Sequence, residues 1–227
     1  MNRLNYNGTR KLPEIFTEQE VANIVTQPLR CSNYWNKKGY AEYGKFLQMR
    51  DCCLVATIYL LGLRPNEACC LKFSDFDFRY SNVRIDGANN KCKKDRVLPL
   101  PLPLLKFIRH YLKFNRARFW RGNKYLFPSL QGSHLSAGRL KHIFREKILK
   151  PLNLYTSPEI GKVSKFRTYT LRHSRASHIL KKQIKEKGSP DLYAIANILG
   201  HSDLRSTQIY LHTDEKYSDY LREQMNL

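Results

Sequence analysis

The chain has 227 residues, with 40 lysines and arginines against 19 aspartates and glutamates, which gives a formal net charge of +21. Hydrophobic residues make up 42% of the chain, enough to bury a core, so a wholly disordered basic tail is excluded. No apolar run reaches the ~18 residues that cross a membrane, and the first residues lack the apolar stretch of a signal peptide. The charge predicts a polyanionic partner, nucleic acid first and an anionic membrane surface second.

The six cysteines form neither a metal-binding nor a disulfide pattern. They include two adjacent pairs and no Cys-x-x-Cys spacing, which makes them poor zinc ligands and a poor disulfide framework. We expect reduced thiols, four of them in a helical core, and no bound metal. The positions are Cys31, Cys52, Cys53, Cys69, Cys70 and Cys92.

The N-terminal part of the chain predicts a polar arm followed by helices. Residues 1–13 are polar, and we interpret them as an arm or linker before one domain over 14–227. Thr17 and Glu20 form a capping box ahead of apolar residues at helical spacing. Residues 27–45, rich in Pro, Asn, Lys and Gly, predict a long loop.

The next segments predict helices around a small hairpin. An apolar helix over 46–62 ends at Gly62, and Pro65 starts a short helix to Leu71. Residues 82–86 and 96–98 predict two short antiparallel strands joined by a turn of Gly, Asn and Lys. Further helices are predicted over about 99–119, 136–149, 170–184, 191–199 and 202–211, and a last one near 217–225. Residues 150–168 predict a loop, and Ser189-Pro190 is expected to cap the helix over 191–199. The fold class is therefore mainly α with a small antiparallel β-sheet, an α+β fold.

Two segments in the first half carry candidate residues for phosphate chemistry. Arg64 stands beside the Pro that starts a helix, so its guanidinium is held in place for a bidentate bond, and Glu67 lies on the same face to orient it. Taken alone, this is more often a structural Arg–Glu pair. Lys91 lies in the turn between the strands, where it can reach a leaving oxygen, although a solvated basic turn that holds DNA phosphates is the simpler interpretation. The neighbouring basic residues are Lys93, Lys94 and Arg96.

Two later segments add further candidates. Arg172 and His173 lie in the first turn of a predicted helix, whose free N–H groups favour an anion, and Arg175 follows on the same helix. His201 comes directly after Gly200, and Tyr210 follows nine residues later. A single histidine or tyrosine is usually a satisfied core residue, so the hypothesis depends on all four segments occurring together.

Together these segments resemble the catalytic domain of the tyrosine recombinases, the family of phage integrases and Xer-type recombinases. GLRPNE resembles the family's first arginine box, and TLRHSRASHIL resembles the second. Lys91 precedes Pro99 by eight residues, as the family's catalytic lysine precedes its strand-ending proline. LGHSDLRSTQIYLH, the most specific match, is similar to the Xer-type box with the nucleophile. The resemblance covers residues 14 to 217.

The resemblance implies site-specific recombination through a 3′-phosphotyrosyl intermediate, without cofactor or metal. Double-stranded DNA is the implied partner, bound by a homotetramer on paired sites whose C-terminal segments, roughly 217–227, dock in trans. No membrane partner is expected, and the implied location is cytoplasmic, with the nucleoid or with the DNA of a phage or virus in its host. The implied catalytic residues are Arg64, Lys91, Arg172, His201 and Tyr210, the supporting ones Glu67, Tyr169 and His173, and the DNA-binding ones Lys93, Lys94, Arg96 and Arg175.

One position departs from the family pattern. Tyr169 stands where the second box usually begins with His, and a phenol of ordinary pKa near 10 is a poor general base at neutral pH. Proton removal from the nucleophile then falls to water, to the phosphate or to another side chain, while His173 is expected to support the box.

The sequence leaves two alternative functions open, and it also leaves open whether the chain is part of a longer protein. The chain is alternatively a non-catalytic DNA-binding protein on the same scaffold, or an enzyme of the type IB topoisomerase or telomere-resolvase kind. The family's N-terminal core-binding domain is not evident in the sequence, so we expect either a fragment of a longer recombinase or a naturally short member.

Overall fold

The structure is a computed structural model that describes residues 13–31, 43–90, 93–115, 122–131, 133–154 and 167–211. Several sequence predictions lie outside these residues. They are the arm over 1–12, the middle of the 27–45 loop, Lys91, most of the loop near 150–168, and the C-terminal segment from 212 onwards.

Within the described residues the fold is mainly helical, with one small sheet. The elements in chain order are α1 (Glu18–Arg30), α2 (Gly44–Leu61), α3 (Pro65–Cys69), β1 (Phe76–Asp77), β2 (Asn82–Ile85), β3 (Arg96–Pro99), α4 (Leu102–Asn115), α5 (Ala137–Ile143), α6 (Thr168–Lys187), α7 (Leu192–Leu199) and α8 (Arg205–Gln208). The predicted α+β class is confirmed.

Helix α1 begins at the predicted capping box but ends later than predicted. The Thr17 hydroxyl accepts a hydrogen bond from the Glu20 backbone N–H at 3.1 Å, and the Glu20 carboxylate accepts one from the Thr17 N–H at 2.7 Å. The helix then passes through Pro28 and ends at Arg30, inside the predicted loop. Pro28 is buried there, and in the last turn its missing N–H removes only one hydrogen bond.

Helix α2 is the central element of the domain, and α1, α4 and α6 all pack against it. Apolar side chains lie on nearly all of its sides, as expected for a helix without a solvent face. It ends at Gly62, whose φ of 61° is the left-handed cap that the sequence predicted. The cysteine pairs at 52–53 and 69–70 are buried, as expected, in and next to this core.

The antiparallel sheet has the order β1-β2-β3. Val83 pairs with Leu98, and both side chains face the core, while Arg84 pairs with the exposed Val97 on the outer face. The sequence predicted β2 and β3 but missed β1, which has only two residues and one buried side chain, Phe76.

Three other details differ from the predictions. The helix that begins with α5 continues as a π-helix over Phe144–Leu149. The N-cap of α7 is Asp191, whose carboxylate accepts from the Ala194 N–H at 2.9 Å, rather than Ser189. Helix α8 is limited to Arg205–Gln208, shorter than the predicted span of 202–211.

The apolar interior is divided into a large core and a small satellite cluster. The large core includes the buried faces of α1 to α5 and the sheet. The satellite cluster joins the middle of α6 to α7 and to the residues after α8, and Tyr210 belongs to it. The segment that carries Tyr210 is thus held by few apolar contacts of its own. In the described part of the chain, no helix combines the length and apolar character needed to cross a bilayer.

Candidate active site

Arg64 is fixed at the junction between α2 and α3. It is the N-cap residue of α3, directly before Pro65. Its backbone N–H donates to the Glu67 carboxylate at 2.8 Å, and its guanidinium donates to the same carboxylate at 3.0 Å. A second guanidinium nitrogen donates to the Gly200 carbonyl at 3.3 Å, so Arg64 also connects α3 to the end of α7.

Glu67 is the centre of a cluster of three arginines. Its side chain is buried, and Arg96 donates to both of its carboxylate oxygens, at 2.9 and 3.0 Å. Arg172 lies 3.9 Å from it. Burial alone would raise the pKa of Glu67, but the hydrogen bonds and charge of Arg96, together with Arg64 and Arg172, hold that pKa below its usual range. Glu67 is therefore a carboxylate at neutral pH, and three guanidinium groups share one negative charge.

Arg172 lies on α6 with only 3% of its surface exposed. Its guanidinium donates to the Gly62 carbonyl at 2.8 Å, which joins α6 to the end of α2. Burial, followed by the repulsion from Arg64, lowers the pKa of Arg172 to about 10. The pKa is lowered because the single charge of Glu67 does not fully offset burial and the repulsion from Arg64.

His201 directly follows the end of α7 and is within electrostatic range of the same three arginines. Its Nδ1 lies 2.8 Å from the hydroxyl of the buried Thr207 on α8. Burial, followed by Arg172 and Arg64, lowers the pKa of His201 to about 4, so the imidazole is neutral at pH 7. A neutral imidazole is a hydrogen-bond donor that adds no further charge to an already positive site.

Gly200 permits the close approach of Arg96 to the end of α7 for two reasons. Its φ of 65° lies in the left-handed region, and a Cβ there would lie 2.8 Å from a guanidinium nitrogen of Arg96. The glycine therefore both ends α7 and leaves room for Arg96 to reach Glu67.

Tyr210 is within electrostatic range of Arg172, with 1% of its surface exposed. Its hydroxyl is 2.8 Å from Nδ1 of His173, and the two rings are 5.9 Å apart. Burial raises the pKa of Tyr210 to about 12, although Arg172 acts in the opposite direction. Burial, followed by Arg172, lowers the pKa of His173.

The structure thus brings Arg64, Arg172, His201 and Tyr210 together, with Glu67 and His173 among them. From the sequence alone His173 is expected only to support the box, because no local signal connects α6 to a tyrosine 37 residues away. The sequence likewise predicts that Arg96 binds DNA, and the structure places the Arg96 guanidinium on Glu67, 29 residues away.

The other candidates lie nearer the surface or outside the described residues. Tyr169 is 49% exposed at the start of α6. The Arg175 guanidinium lies over the Tyr59 ring at 5.7 Å. Lys93 and Lys94 are exposed in the turn between β2 and β3. Lys91 lies in that turn but outside the described residues.

The base of this turn is fixed, and a cleft separates it from His201. The Asn90 side chain donates to the Lys94 carbonyl at 2.9 Å, on either side of positions 91 and 92. A cleft of about 300 Å³ lies between the turn and the end of α7, with Arg96 and His201 in its walls. The described part of the turn therefore faces Gly200 and His201 at the end of α7 across an open space.

Comparisons with known proteins identify the family of the chain. A profile of the phage integrase family matches residues 18–216. The chain is 28% identical to tyrosine recombinase XerD of Proteus mirabilis over 217 residues, which is 95% of this chain and 60% of that protein. It is 30% identical to tyrosine recombinase XerA of Pyrococcus furiosus over 220 residues, 96% of this chain and 64% of that protein. The chain spans about three fifths of the length of these curated relatives.

Solved structures share the fold. A XerH site-specific recombinase bound to palindromic difH substrate, in a post-cleavage complex, gives a TM-score of 0.69 at 23% identity, covering 100% of this chain and 56% of that one. A XerA recombinase gives a TM-score of 0.68 at 22% identity, covering 96% and 67%. Since the family profile covers most of the sequence, the chain belongs to the phage integrase family of tyrosine recombinases and has the fold of their catalytic domain.

Proposed function

We propose that this domain cleaves and rejoins DNA strands at specific sites, with Tyr210 as the nucleophile. The observation that carries the proposal is the imbalance of charge beside Tyr210. Arg64, Arg96 and Arg172 surround the single carboxylate of Glu67, and the excess positive charge lies within electrostatic range of the phenol. An anion of one charge held at this place, such as a phosphodiester, offsets that excess and lies next to a nucleophile.

The proposed reaction exchanges one phosphodiester for another. The Tyr210 oxygen attacks the phosphorus, the bond to the 5′ oxygen breaks, and a 3′-phosphotyrosyl link and a free 5′-hydroxyl result. A 5′-hydroxyl from a partner strand then attacks and releases Tyr210. Because each step breaks and forms one phosphodiester, the bond energy is retained in the covalent link, and the proposal includes no cofactor or metal.

Each proposed catalytic residue has a distinct task. Arg64 and Arg172 neutralise the non-bridging oxygens, and both are already held in place, by Glu67 and by the Gly62 carbonyl. His201, neutral at pH 7, donates to a non-bridging oxygen. Lys91, which lies outside the described residues, protonates the leaving 5′ oxygen. Loss of one charged donor of this kind typically costs about 3 kcal/mol of transition-state stabilisation.

Duplex DNA is the proposed partner, and the proposed location is the cytoplasm, with the nucleoid or with the DNA of a phage or virus in its host. The charge of +21 supplies affinity through counterion release. The exposed Lys93 and Lys94 contact the phosphate backbone, and Arg175 does so from its place over Tyr59. Arg96 contributes mainly by holding Glu67, since two of its nitrogens are bound to that carboxylate.

A covalent-trapping experiment tests the proposed reaction. The substrate is a pool of nicked duplexes of randomised sequence, whose cleavage releases a short fragment that cannot be rejoined, so that the adduct itself reports the preferred site. Wild-type protein is expected to form a denaturant-resistant protein–DNA adduct. Tyr210→Phe is expected to form none while binding DNA within a few-fold of wild type.

The matched control is Tyr193→Phe on α7, because Tyr193 is 72% exposed and lies outside the arginine cluster. It should form the adduct like wild type. Adduct formation by Tyr210→Phe would contradict the assignment, and absence of an adduct from wild type would contradict catalysis altogether. A two-site exchange assay beside a supercoil-relaxation assay then separates recombination from topoisomerase activity.

We also propose assembly as a homotetramer on paired DNA sites, in which residues 217–227 dock on a neighbouring protomer. These residues lie outside the described part of the chain, and the family resemblance supports the proposal. Deletion of 217–227 should leave DNA binding and single-site cleavage nearly intact and abolish assembly on paired sites. A truncated protein that is insoluble or much less stable as a monomer would instead show that the segment packs on its own domain.

A further inference from the structure

The hydroxyl of the proposed nucleophile has a histidine as its neighbour. Nδ1 of His173 lies 2.8 Å from the Tyr210 oxygen, within the range of a direct hydrogen bond. Tyr169, which occupies the family's usual histidine position, is half-exposed, and its hydroxyl has no hydrogen-bond partner in the described part of the chain. We propose that His173 is the general base that removes the proton from Tyr210. This inference rests on the proposed function and assigns the one step that Tyr169 leaves without a residue.

The environment of His173 keeps it in the form that a base needs. Burial, followed by the charge of Arg172, lowers the pKa of its imidazole, so the ring is neutral at pH 7. In the tautomer with its proton on Nε2, Nδ1 accepts the hydrogen bond that the Tyr210 hydroxyl donates. The acceptor is therefore in position before DNA arrives.

The proton transfer occurs together with bond formation at phosphorus. The pKa of Tyr210 is raised to about 12 and that of His173 lies below its ordinary 6.5, so transfer in the resting site is strongly unfavourable. Attack on phosphorus reverses this, because the phenol oxygen loses its basicity as the new bond forms. General-base catalysis has this character, and a positioned base typically contributes about 10²- to 10⁴-fold.

The step balances in both directions. On cleavage, the Tyr210 oxygen bonds to phosphorus and its proton passes to Nδ1 of His173, while the 5′ oxygen leaves with a proton from Lys91. On rejoining, an incoming 5′-hydroxyl gives its proton to Lys91 and bonds to phosphorus, and Tyr210 leaves with the proton that His173 returns. No other reactant is consumed.

Within the described residues, charged and titratable groups around His173 determine when it can accept the proton. They are Arg172 on its own helix, His201 at the end of α7, and Tyr210 after α8. The positive charge of Arg172 disfavours the protonated form of His173 before DNA binds. The extra negative charge that develops on the phosphate oxygens in the transition state offsets this repulsion, so that the base is strongest when the reaction needs it.

The test compares His173→Gln and His173→Asn with wild type in single-turnover cleavage of the DNA selected by the trapping experiment. Either amide oxygen accepts a hydrogen bond from Tyr210 but takes no proton. We expect DNA binding within a few-fold of wild type and cleavage slower by about 100-fold. Tyr193→Phe, at an exposed tyrosine outside the site, is the control and is expected to cleave like wild type. Tyr169→Phe is the comparison at the family's usual position and is expected to lose less cleavage than His173→Gln.

A second substrate separates the base from the acid. Sulfur in place of the bridging 5′ oxygen leaves as a thiolate, which needs no protonation at neutral pH. This substrate should restore cleavage by Lys91→Ala but not by His173→Gln. In wild type, the cleavage rate of the normal substrate should fall at low pH, where His173 becomes protonated. In His173→Gln this acid-side decline should be absent, and the cleavage rate should instead rise steadily with pH.

Several results would overturn the inference. One is cleavage by His173→Gln that is faster than wild type or within threefold of it. Another is that the sulfur substrate restores cleavage by His173→Gln. A third is that Tyr169→Phe loses more cleavage activity than His173→Gln. In each case wild type still forms the Tyr210 adduct, so the proposed function stands while the role of His173 fails. Absence of the wild-type adduct is the separate result that removes both.

Discussion

Two buried ionic clusters of this domain differ in their balance of charge. On α2, Arg50 pairs with Asp51 at 2.7 Å, and Arg50 also donates to the Pro128 carbonyl at 2.9 Å. This cluster contains one cation and one anion, and both side chains are almost fully enclosed. In the second cluster, three arginines share the single carboxylate of Glu67.

The difference is between a pair that supports the fold and a cluster that the proposed function assigns to an anion. A buried charge is costly unless it is paired, and the Arg50–Asp51 pair joins α2 to the segment near Pro128. In the Glu67 cluster three guanidinium groups share one carboxylate, and burial together with Arg64 lowers the pKa of Arg172. Under the proposed function, a phosphate anion offsets this excess of positive charge.

The largest effect is expected from breaking the balanced pair. Asp51→Asn leaves Arg50 buried without its carboxylate, which should lower the free energy of unfolding by about 3–5 kcal/mol. Chemical denaturation at low temperature measures this loss, and the fraction that remains folded should cleave DNA normally. The exposed Arg84–Asp95 pair is the control, where Asp95→Asn should change stability far less, because solvent screens an exposed ion pair. Equal losses at the two sites would remove the distinction between buried and exposed pairs.

The unbalanced cluster should respond in activity rather than in stability. Arg172→Lys and Arg64→Lys keep the charge but lose the planar guanidinium, so cleavage should fall by about 100-fold or more, while DNA affinity stays within a few-fold. Adduct formation and filter binding measure the two quantities. Arg84→Lys on the outer face of the sheet should change neither. Matching losses of binding and cleavage would make Arg64 and Arg172 phosphate anchors only.

Much of the fold was predictable because its signals are local. The capping box at Thr17 and the glycines that end α2 and α7 act within one turn of helix, so a few neighbouring residues determine them. The exceptions depend on tertiary packing. Burial lets α1 continue through Pro28, and β1 forms because β2 provides a partner for its two residues.

The candidate site also has features that local motifs predict and features that depend on tertiary packing. The motifs predicted which segments carry arginines and the tyrosine, since each motif lies within a dozen residues. The partners of those side chains depend on contacts between distant segments, such as Arg96 with Glu67 and His173 with Tyr210. A sequence pattern does not show that Arg96 is turned inward by the room that Gly200 leaves.

A smaller effect should come from filling the unbalanced cluster with a simple anion. Sulfate present at about ten times its dissociation constant should stabilise the folded state by about 1.4 kcal/mol, or roughly 3–6 °C in melting temperature. Thermal unfolding at constant ionic strength measures the shift. Arg172→Gln removes one of the three cations and should lose most of this gain, although a general salting-out effect of sulfate remains in both proteins. The same shift in wild type and variant would show that sulfate acts elsewhere.

A separate effect concerns the pH dependence of stability through His201. Burial, then Arg172 and Arg64, lower its pKa to about 4, against 6.5 in the unfolded chain. Between these values the unfolded state binds more protons, so the contribution of a neutral His201 to stability is complete above about pH 6.5 and is lost as the pH falls towards 4. Urea unfolding at several pH values should therefore show a weaker dependence in His201→Gln than in wild type.

An anion in the cluster should change that dependence in a defined direction. Negative charge next to Arg64 and Arg172 offsets the repulsion that keeps His201 neutral, so sulfate should raise the pKa of His201 and narrow the window between the folded and unfolded values. An NMR titration of the His201 ring, assigned with His201→Gln, measures this pKa with and without sulfate. Histidine 178, which burial also holds below its ordinary pKa next to Tyr59, is the internal control and should not respond. If both rings shifted equally, the effect would be one of bulk ionic strength, and the charge imbalance around Glu67 would no longer account for the low pKa of His201.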